Sequence, residues 1–184
     1  MKYRGEMEKQ KGFTLIELLI VVVMICILAT VVIPNALVAI HKSRQKNTMK
    51  DISSISTAIM AYLTDNGVPP AQDGTFQSGD SFYAALCPLH IRVLPLKDGW
   101  GNSLRIWCGS AAAQYGISNP EEDDFLVASF GRDNTQDDFS FNPEAPDLGA
   151  YSIGSLEDFD NDLIVWSGTW IRGPGVVSGG GGGN

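Results

Sequence analysis

The chain has 184 residues, of which 13 are basic and 21 acidic, and its formal net charge at pH 7 is −8. That length leaves room for one membrane segment and one small domain. From Asp51 onward there are five basic and eighteen acidic residues, a net charge of −13, which argues against a nucleic-acid partner, because such proteins carry a basic patch for the phosphates.

The first predicted element is a long helix from Phe13 to about Thr64 that begins as a membrane segment. No Asp, Glu, Lys or Arg occurs from Leu18 to Ile40, and about 20 apolar residues suffice to cross a bilayer as a helix. Glu17 precedes this run, and a charge kept beside a membrane segment usually has a use. Pro34 removes one helical hydrogen bond, which predicts a kink.

Beyond Ile40 the helix becomes amphipathic. Its apolar residues recur at three- and four-residue spacing and form one stripe, which is typical of a helix packed on its own domain: Met49, Ile52, Ile55, Ile59, Tyr62 and Leu63. Asp65-Asn66-Gly67, followed by Pro69-Pro70, predicts its end.

The rest of the chain predicts a short helix at Ser81–Leu86 and a few short strands. The strand candidates are Leu104–Trp107, Phe125–Phe130 and Leu163–Trp166. Three or four antiparallel strands over an amphipathic helix make a small α+β domain. The glycine-rich segment 173–184 is predicted to be a flexible tail.

Two cysteines, Cys87 and Cys108, fall in the soluble part, and Cys26 falls in the membrane run. In an oxidising compartment Cys87 and Cys108 can pair in a disulfide. The alternative is two free thiols, and spacing in the sequence does not decide between them.

The N-terminal pattern is Gly12-Phe13-Thr14-Leu15-Ile16-Glu17 between a short charged leader and the apolar run. It resembles the start of type IV pilins and type II secretion pseudopilins. The resemblance implies that a prepilin peptidase cuts between Gly12 and Phe13 and that Phe13 is then N-methylated. It also implies that Glu17 pairs with the amino group of Phe13 on a neighbouring subunit, and that the helix loosens around Pro34 when subunits pack.

Two other kinds of N-terminal segment remain open at this point. One is a plain signal anchor in which the Gly-Phe-Thr-Leu-Ile-Glu pattern is accidental. The other is a cleaved secretory signal. Two features argue against it: the apolar run is longer than that of a typical signal peptide, and no clear A-x-A cleavage site follows the run.

Three segments of the soluble part resemble the major pseudopilins of the secretion branch. They are Ala61-Tyr62-Leu63-Thr64-Asp65-Asn66-Gly67-Val68-Pro69, Leu96-Lys97-Asp98-Gly99-Trp100-Gly101-Asn102 and Ala128-Ser129-Phe130-Gly131-Arg132-Asp133-Asn134. Gly99 and Asn134 depart from the family pattern, which has Pro and Gly at those positions. We expect Trp100 to hold its loop against the helix.

The resemblance also implies a calcium loop near the C-terminus. Calcium takes six to eight oxygen ligands, and the candidates fall in two clusters: Asp133, Asp137 and Asp138, then Asp158, Asp160 and Asp162. The segment between the clusters, 139–156, has no predicted role, and the compact family loop is not reproduced. The alternative is a set of solvated, turn-forming aspartates.

The fold that the resemblance implies is pilin-like α+β, with a leader (1–12), a membrane and filament-core helix (13–40), an amphipathic helix (41–67) and a globular domain (68–172). The chain would span the bacterial inner membrane once, with its domain in the periplasm. Basic residues flank both sides of the apolar run, so this orientation rests on the resemblance alone.

The implied function is that of a structural subunit of a type II secretion pseudopilus. Its partners would be copies of itself in a filament, minor pseudopilins, the prepilin peptidase, an inner-membrane assembly platform and membrane lipid. We find no catalytic constellation in the sequence. The alternatives are a type IV pilin or minor pilin, serving adhesion, motility or DNA uptake, and a membrane-anchored calcium-binding domain that does not polymerise.

Overall fold

The computed structural model describes residues 12–175. The predicted leader up to residue 11 and the end of the predicted tail, 176–184, lie outside the described residues. The chain divides into two compact units, Met1–Leu37 and Val38–Asn184. Helix α1, Leu15–Asn66, contributes to both of them.

In the first unit the apolar side chains of α1 are exposed, among them Leu18, Val22 and Ile25. Helix α1 is long and apolar enough there to cross a membrane. Its bounds agree with the predicted helix from Phe13 to Thr64, and it runs through Pro34 without interruption. The kink at Pro34 stays a prediction.

The second unit is built on a six-stranded sheet. In chain order the strands are β1 Asp73–Thr75, β2 Arg105–Cys108, β3 Phe125–Ser129, β4 Ala150–Tyr151, β5 Leu163–Trp166 and β6 Thr169–Pro174. The spatial order is β1-β2-β3-β5-β6-β4. Helix α2, Ser81–Leu86, lies between β1 and β2 in the chain.

The predicted α+β fold, the short helix and strands β2, β3 and β5 are confirmed. The prediction of a purely antiparallel sheet was wrong, because β4 pairs with β6 in parallel, Ala150 opposite Gly173. The same pairing holds Gly173 and Pro174 in β6, so the strand extends into the segment predicted as a flexible tail. The pairing of β6 with β5 ends at Arg172, so the missing amide of Pro174 removes no hydrogen bond to β5.

One face of the sheet packs on α1. Ile52, Ile55 and Ile59 of the predicted apolar stripe are fully buried and share a cluster with strand residues such as Val127 and Val165. The sequence pattern therefore identified the helical wall of this core.

The opposite face carries a second core that was not predicted. Side chains alternate along a strand, so Trp107, Leu126 and Ile164 point away from α1 and form another buried cluster. It is covered by residues from irregular segments, including Tyr115 and, from the segment without a predicted role, Phe139. The segment 139–156 thus helps to cover the back of the sheet.

Candidate functional site

The predicted cleavage bond lies at an open position. Gly12 is exposed, and apart from its own atoms and its chain neighbours nothing lies within 4 Å of the place where a Cβ would sit. Phe13 is 87% exposed. Both sides of the Gly12–Phe13 bond are therefore accessible in the described structure.

Thr14 and Glu17 form a capping box at the first turn of α1. The Thr14 amide and hydroxyl both donate to Glu17 Oε2, at 2.9 and 2.8 Å, and the Glu17 amide donates to Thr14 Oγ1 at 3.3 Å. This reciprocal pattern satisfies amide groups that a helix start leaves without partners. The Thr-x-x-Glu spacing before an apolar run signals such a cap, and the sequence analysis missed it.

The loop predicted to dock on the helix does so through three contacts. Trp100 Nε1 donates to His41 Nδ1 at 3.0 Å, and the Gly99 amide donates to Thr48 Oγ1 at 2.8 Å. A Cβ on Gly99 would lie 2.4 Å from the Arg44 carbonyl oxygen. The expected role of Trp100 is confirmed, and Gly99 is required by close packing on the helix rather than by the turn alone.

His41 is held in its neutral form by this contact. Because Nδ1 accepts a hydrogen bond from Trp100, it carries no proton. Burial first, and then the positive charges of Arg132 and Arg44, lower the pKa of His41. Its ring also packs on Phe159, with 5.5 Å between the ring centroids.

Two of the segments that carry the family resemblance meet in space. Asp98 Oδ1 accepts bonds from the Trp100 and Asn102 amides, both at 2.9 Å, and so closes its own turn. Asp98 Oδ2 accepts a bond from Ser129 Oγ at 2.7 Å. Asn102 Nδ2 donates to the Gly131 carbonyl at 2.8 Å.

In the structure the aspartates proposed as calcium ligands form hydrogen bonds to several different groups. Asp160 accepts two bonds from Arg132, at 2.7 and 2.8 Å, and Asp137 accepts one from Arg172 at 2.6 Å. Asp133 accepts a bond from the Thr135 amide in its own turn, and Asp138 is exposed. Only Asp137 and Asp162 of this set are joined directly, each carboxylate accepting the other's amide at 2.9 and 3.1 Å.

Asp162 is the buried member of the set. Its Oδ2 also accepts a bond from the Tyr115 hydroxyl at 2.8 Å, and its Oδ1 has no partner among the described residues. Burial raises the pKa of Asp162 to about 6. Burial, and then the negative charge of Asp162, raise the pKa of Tyr115.

This arrangement does not fit a calcium ion. A calcium site converges six to eight oxygens on one point, whereas Asp137 and Asp160 each face a guanidinium group. Across residues 12–175 no three His, Cys, Asp or Glu side chains are grouped so that they would hold a metal. Calcium binding by these aspartates stays a prediction, which this geometry does not support.

Cys87 and Cys108 are free thiols in the structure. Cys108 is buried in the core cluster on the α1 side, and Cys87 packs against the same cluster. Burial raises the pKa of the Cys108 thiol to about 12, so it is protonated at neutral pH. Their disulfide stays a prediction.

Comparison with known proteins gives a family match at the N-terminus. Residues 7–33 match the family described as "Prokaryotic N-terminal methylation motif". That range contains the predicted cleavage bond, the capping box and most of the apolar run. No solved structure gives a significant match to the chain.

The relatives extend the similarity into the second unit. The chain is 37% identical over 103 residues to the type II secretion system core protein G of Vibrio cholerae, which covers 53% of this chain and 70% of that protein. It is 27% identical to the protein of the same name from Dickeya chrysanthemi, over 96% of each chain. It is also 40% identical to the fimbrial protein EcpB of Eikenella corrodens, over 39% of this chain and 47% of that protein.

Proposed function

The chain belongs to the family of the type II secretion system core protein G, and from that premise we propose that it is a structural subunit of a type II secretion pseudopilus. In this function subunits wait in the inner membrane and polymerise into a helical filament that helps to export folded proteins. The observation that carries the proposal is the exposed Gly12–Phe13 bond followed at once by a capped, exposed apolar helix.

The first step is processing of the N-terminus. A prepilin peptidase cuts between Gly12 and Phe13 and methylates the new amino group of Phe13. The exposure of both residues leaves the bond open to another enzyme. The cut leaves the Thr14 amide intact, so the capping box with Glu17 persists in the mature subunit.

The second step places Glu17 against a neighbouring subunit. Both Thr14 bonds end on Oε2 of Glu17, which leaves Oε1 available for the Phe13 amino group of the next copy. An ion pair in the apolar filament core would neutralise two charges and fix the axial register, a well-attested use of a buried polar contact. The capping box presents the carboxylate in one orientation for that contact.

The apolar part of α1 provides the membrane segment and then the filament core. Its exposed side chains contact lipid in the inner membrane and other subunit helices in the filament, and the acidic second unit lies in the periplasm. An inner-membrane assembly platform and minor pseudopilins are the proposed further partners. The subunit acts as a structural element and catalyses no reaction itself.

A type IV pilin is the weaker candidate. The fimbrial relative covers less than half of this chain, whereas the secretion relative from Dickeya chrysanthemi spans nearly all of it. The turn at Asp98–Asn102 is also hydrogen-bonded to the end of β3 and the residues after it, through Ser129 and Gly131. The turn and this second segment both resemble the secretion branch.

The N-terminal peptide tests processing. We expect mass spectrometry of protein from its native membrane to find a peptide that begins at N-methylated Phe13. An intact leader in cells with an active prepilin peptidase would overturn the filament proposal.

Glu17 variants test assembly separately. Glu17→Gln keeps the capping geometry, since Gln also serves in a capping box, but removes the charge. We expect the Glu17→Gln and Glu17→Ala proteins to insert into the membrane normally. We expect neither variant to be found in the filament fraction that is sheared from cells. Normal filament formation by Glu17→Gln would show that the charge is dispensable.

A further inference from the structure

Two arginines lie where the loop after β3 meets the segment before β5. Arg132 binds both carboxylate oxygens of Asp160 through Nε and one terminal nitrogen, at 2.7 and 2.8 Å. This two-bond geometry is the strong form of an arginine–carboxylate pair. Arg132 precedes Asp133 of the first aspartate cluster, so its bond to Asp160 links the first cluster to the second.

Arg172, in β6, also links the two clusters. One terminal nitrogen donates to Asp137 Oδ2 at 2.6 Å and to Asn161 Oδ1 at 2.8 Å. Asp137 Oδ2 also accepts the Asp162 amide. The guanidinium therefore lies at a point where side-chain oxygens from both segments converge, as they would around a metal cation.

Arg172 is enclosed by its surroundings. Its side chain is 15% exposed, and its Cζ lies 4.7 Å from the centre of the Phe139 ring and 5.8 Å from that of Tyr151. A guanidinium over an aromatic face is favoured electrostatically. Tyr151 is held in turn by Gln45 of α1, whose Nε2 donates to the tyrosine hydroxyl at 3.0 Å.

Phe139 and Tyr151 give the segment 139–156 a role besides covering the sheet. Both residues belong to this segment, which separates the two aspartate clusters in the sequence. A compact metal-binding loop would need the two aspartate clusters to be close together in the chain. An arginine in β6 can contact both clusters even though the segment 139–156 separates them in the sequence. The inserted segment thus encloses the positive charge that ties the two clusters together.

We propose that the guanidinium of Arg172, assisted by that of Arg132, is the structural cation of the second unit, and that the second unit is stable without calcium. The positive charge is covalently attached, so it neutralises Asp137 without a dissociable ligand. The inference concerns the stability of the second unit and does not depend on filament assembly.

The test compares thermal unfolding of the full chain in detergent, followed by tryptophan fluorescence, with calcium chloride and with a calcium chelator. We expect the Tm of the wild-type protein to be the same in both conditions. A saturable rise in the wild-type Tm with added calcium would overturn the proposal.

Arginine variants complete the test. Arg172→Met is expected to lower the Tm by several degrees. Arg172→Lys should lower it by less, since lysine keeps the positive charge but not the planar guanidinium that lies over the Phe139 ring. Arg92→Met is the matched control, because Arg92 is exposed, and its Tm should be unchanged. Equal Tm values for Arg172→Met and Arg92→Met would contradict a structural role for Arg172. If Arg172→Met does not fold, the calcium titration of the wild type still decides the proposal.

Discussion

The hydroxyl of Ser129 donates a hydrogen bond of 2.7 Å to the carboxylate of Asp98, between the end of β3 and the turn that docks on α1. Both residues are buried. Asp98 also accepts the Trp100 and Asn102 amides, so one carboxylate shapes the turn and attaches it to the sheet.

Replacing Asp98 by Ala should therefore destabilise the second unit. The change leaves two amides and a buried hydroxyl without their acceptor, and we expect a loss of about 2–4 kcal/mol in the free energy of unfolding. Asp123→Ala removes an exposed carboxylate and serves as the control. Chemical denaturation of the full chain in detergent measures both, and equal stabilities would contradict the assigned role of Asp98.

Gly99→Ala should separate the turn from the helix. The added methyl group would lie 2.4 Å from the Arg44 carbonyl oxygen, and backbone on both sides must move, at an expected cost of about 1–3 kcal/mol. Gly79→Ala is the matched control, because nothing lies within 4 Å of its Cβ position. Trp100 fluorescence should also change in Gly99→Ala, and an unchanged midpoint of unfolding would rule out the close contact.

Asp162 should give the second unit a pH-dependent stability. Its pKa is raised from 3.8 in the unfolded chain to about 6 in the folded protein, so the folded state binds the proton more tightly. The stabilisation from protonation is present at low pH and is lost as the pH rises through about 6.

The Tm of the wild type should therefore fall, relative to that of Asp162→Asn, between about pH 4 and about pH 6 and stay level above that range. His41 has the opposite slope, because its pKa is lowered, but it is common to both proteins and cancels in the comparison. Parallel Tm profiles for the two proteins would refute the assignment to Asp162.

Thr14→Val should impair assembly more than Thr14→Ser. Valine has no hydroxyl to donate to Glu17 or to cap the helix, which costs about 1 kcal/mol at the helix start, whereas serine keeps both bonds. We expect fewer sheared filaments from Thr14→Val at equal membrane levels. Filament yields that do not distinguish the two variants would show that the capping box does not position Glu17.

The parts of the fold that the sequence predicted are those with local signals. The isoleucine stripe of α1 follows the helical period, and β3 and β5 are short apolar runs bounded by turns. Strand β1, Asp73–Thr75, has no such pattern, since only its pairing with β2 makes it a strand. Strands β4 and β6 depend on a long-range parallel pairing.

In the candidate site, too, the local contacts could be predicted from the sequence and the long-range contacts could not. Thr14 and Glu17 are three residues apart, so their capping box was readable from the sequence. The aspartate partners of Arg132 and Arg172 lie 28 and 35 residues away, and a list of aspartates does not reveal which of them faces an arginine. For this reason the aspartates suggested a metal, while the folded chain brings guanidinium groups to two of them.

The two edges of the sheet have a consequence for a protein that is concentrated among its own copies. An unpaired strand edge offers amide and carbonyl groups to any other chain that can extend the sheet. Here the edge strands are β1, with three residues including Gly74, and β4, with two. Each is too short to align a second copy, so the sheet is protected against off-pathway aggregation while the subunit awaits polymerisation.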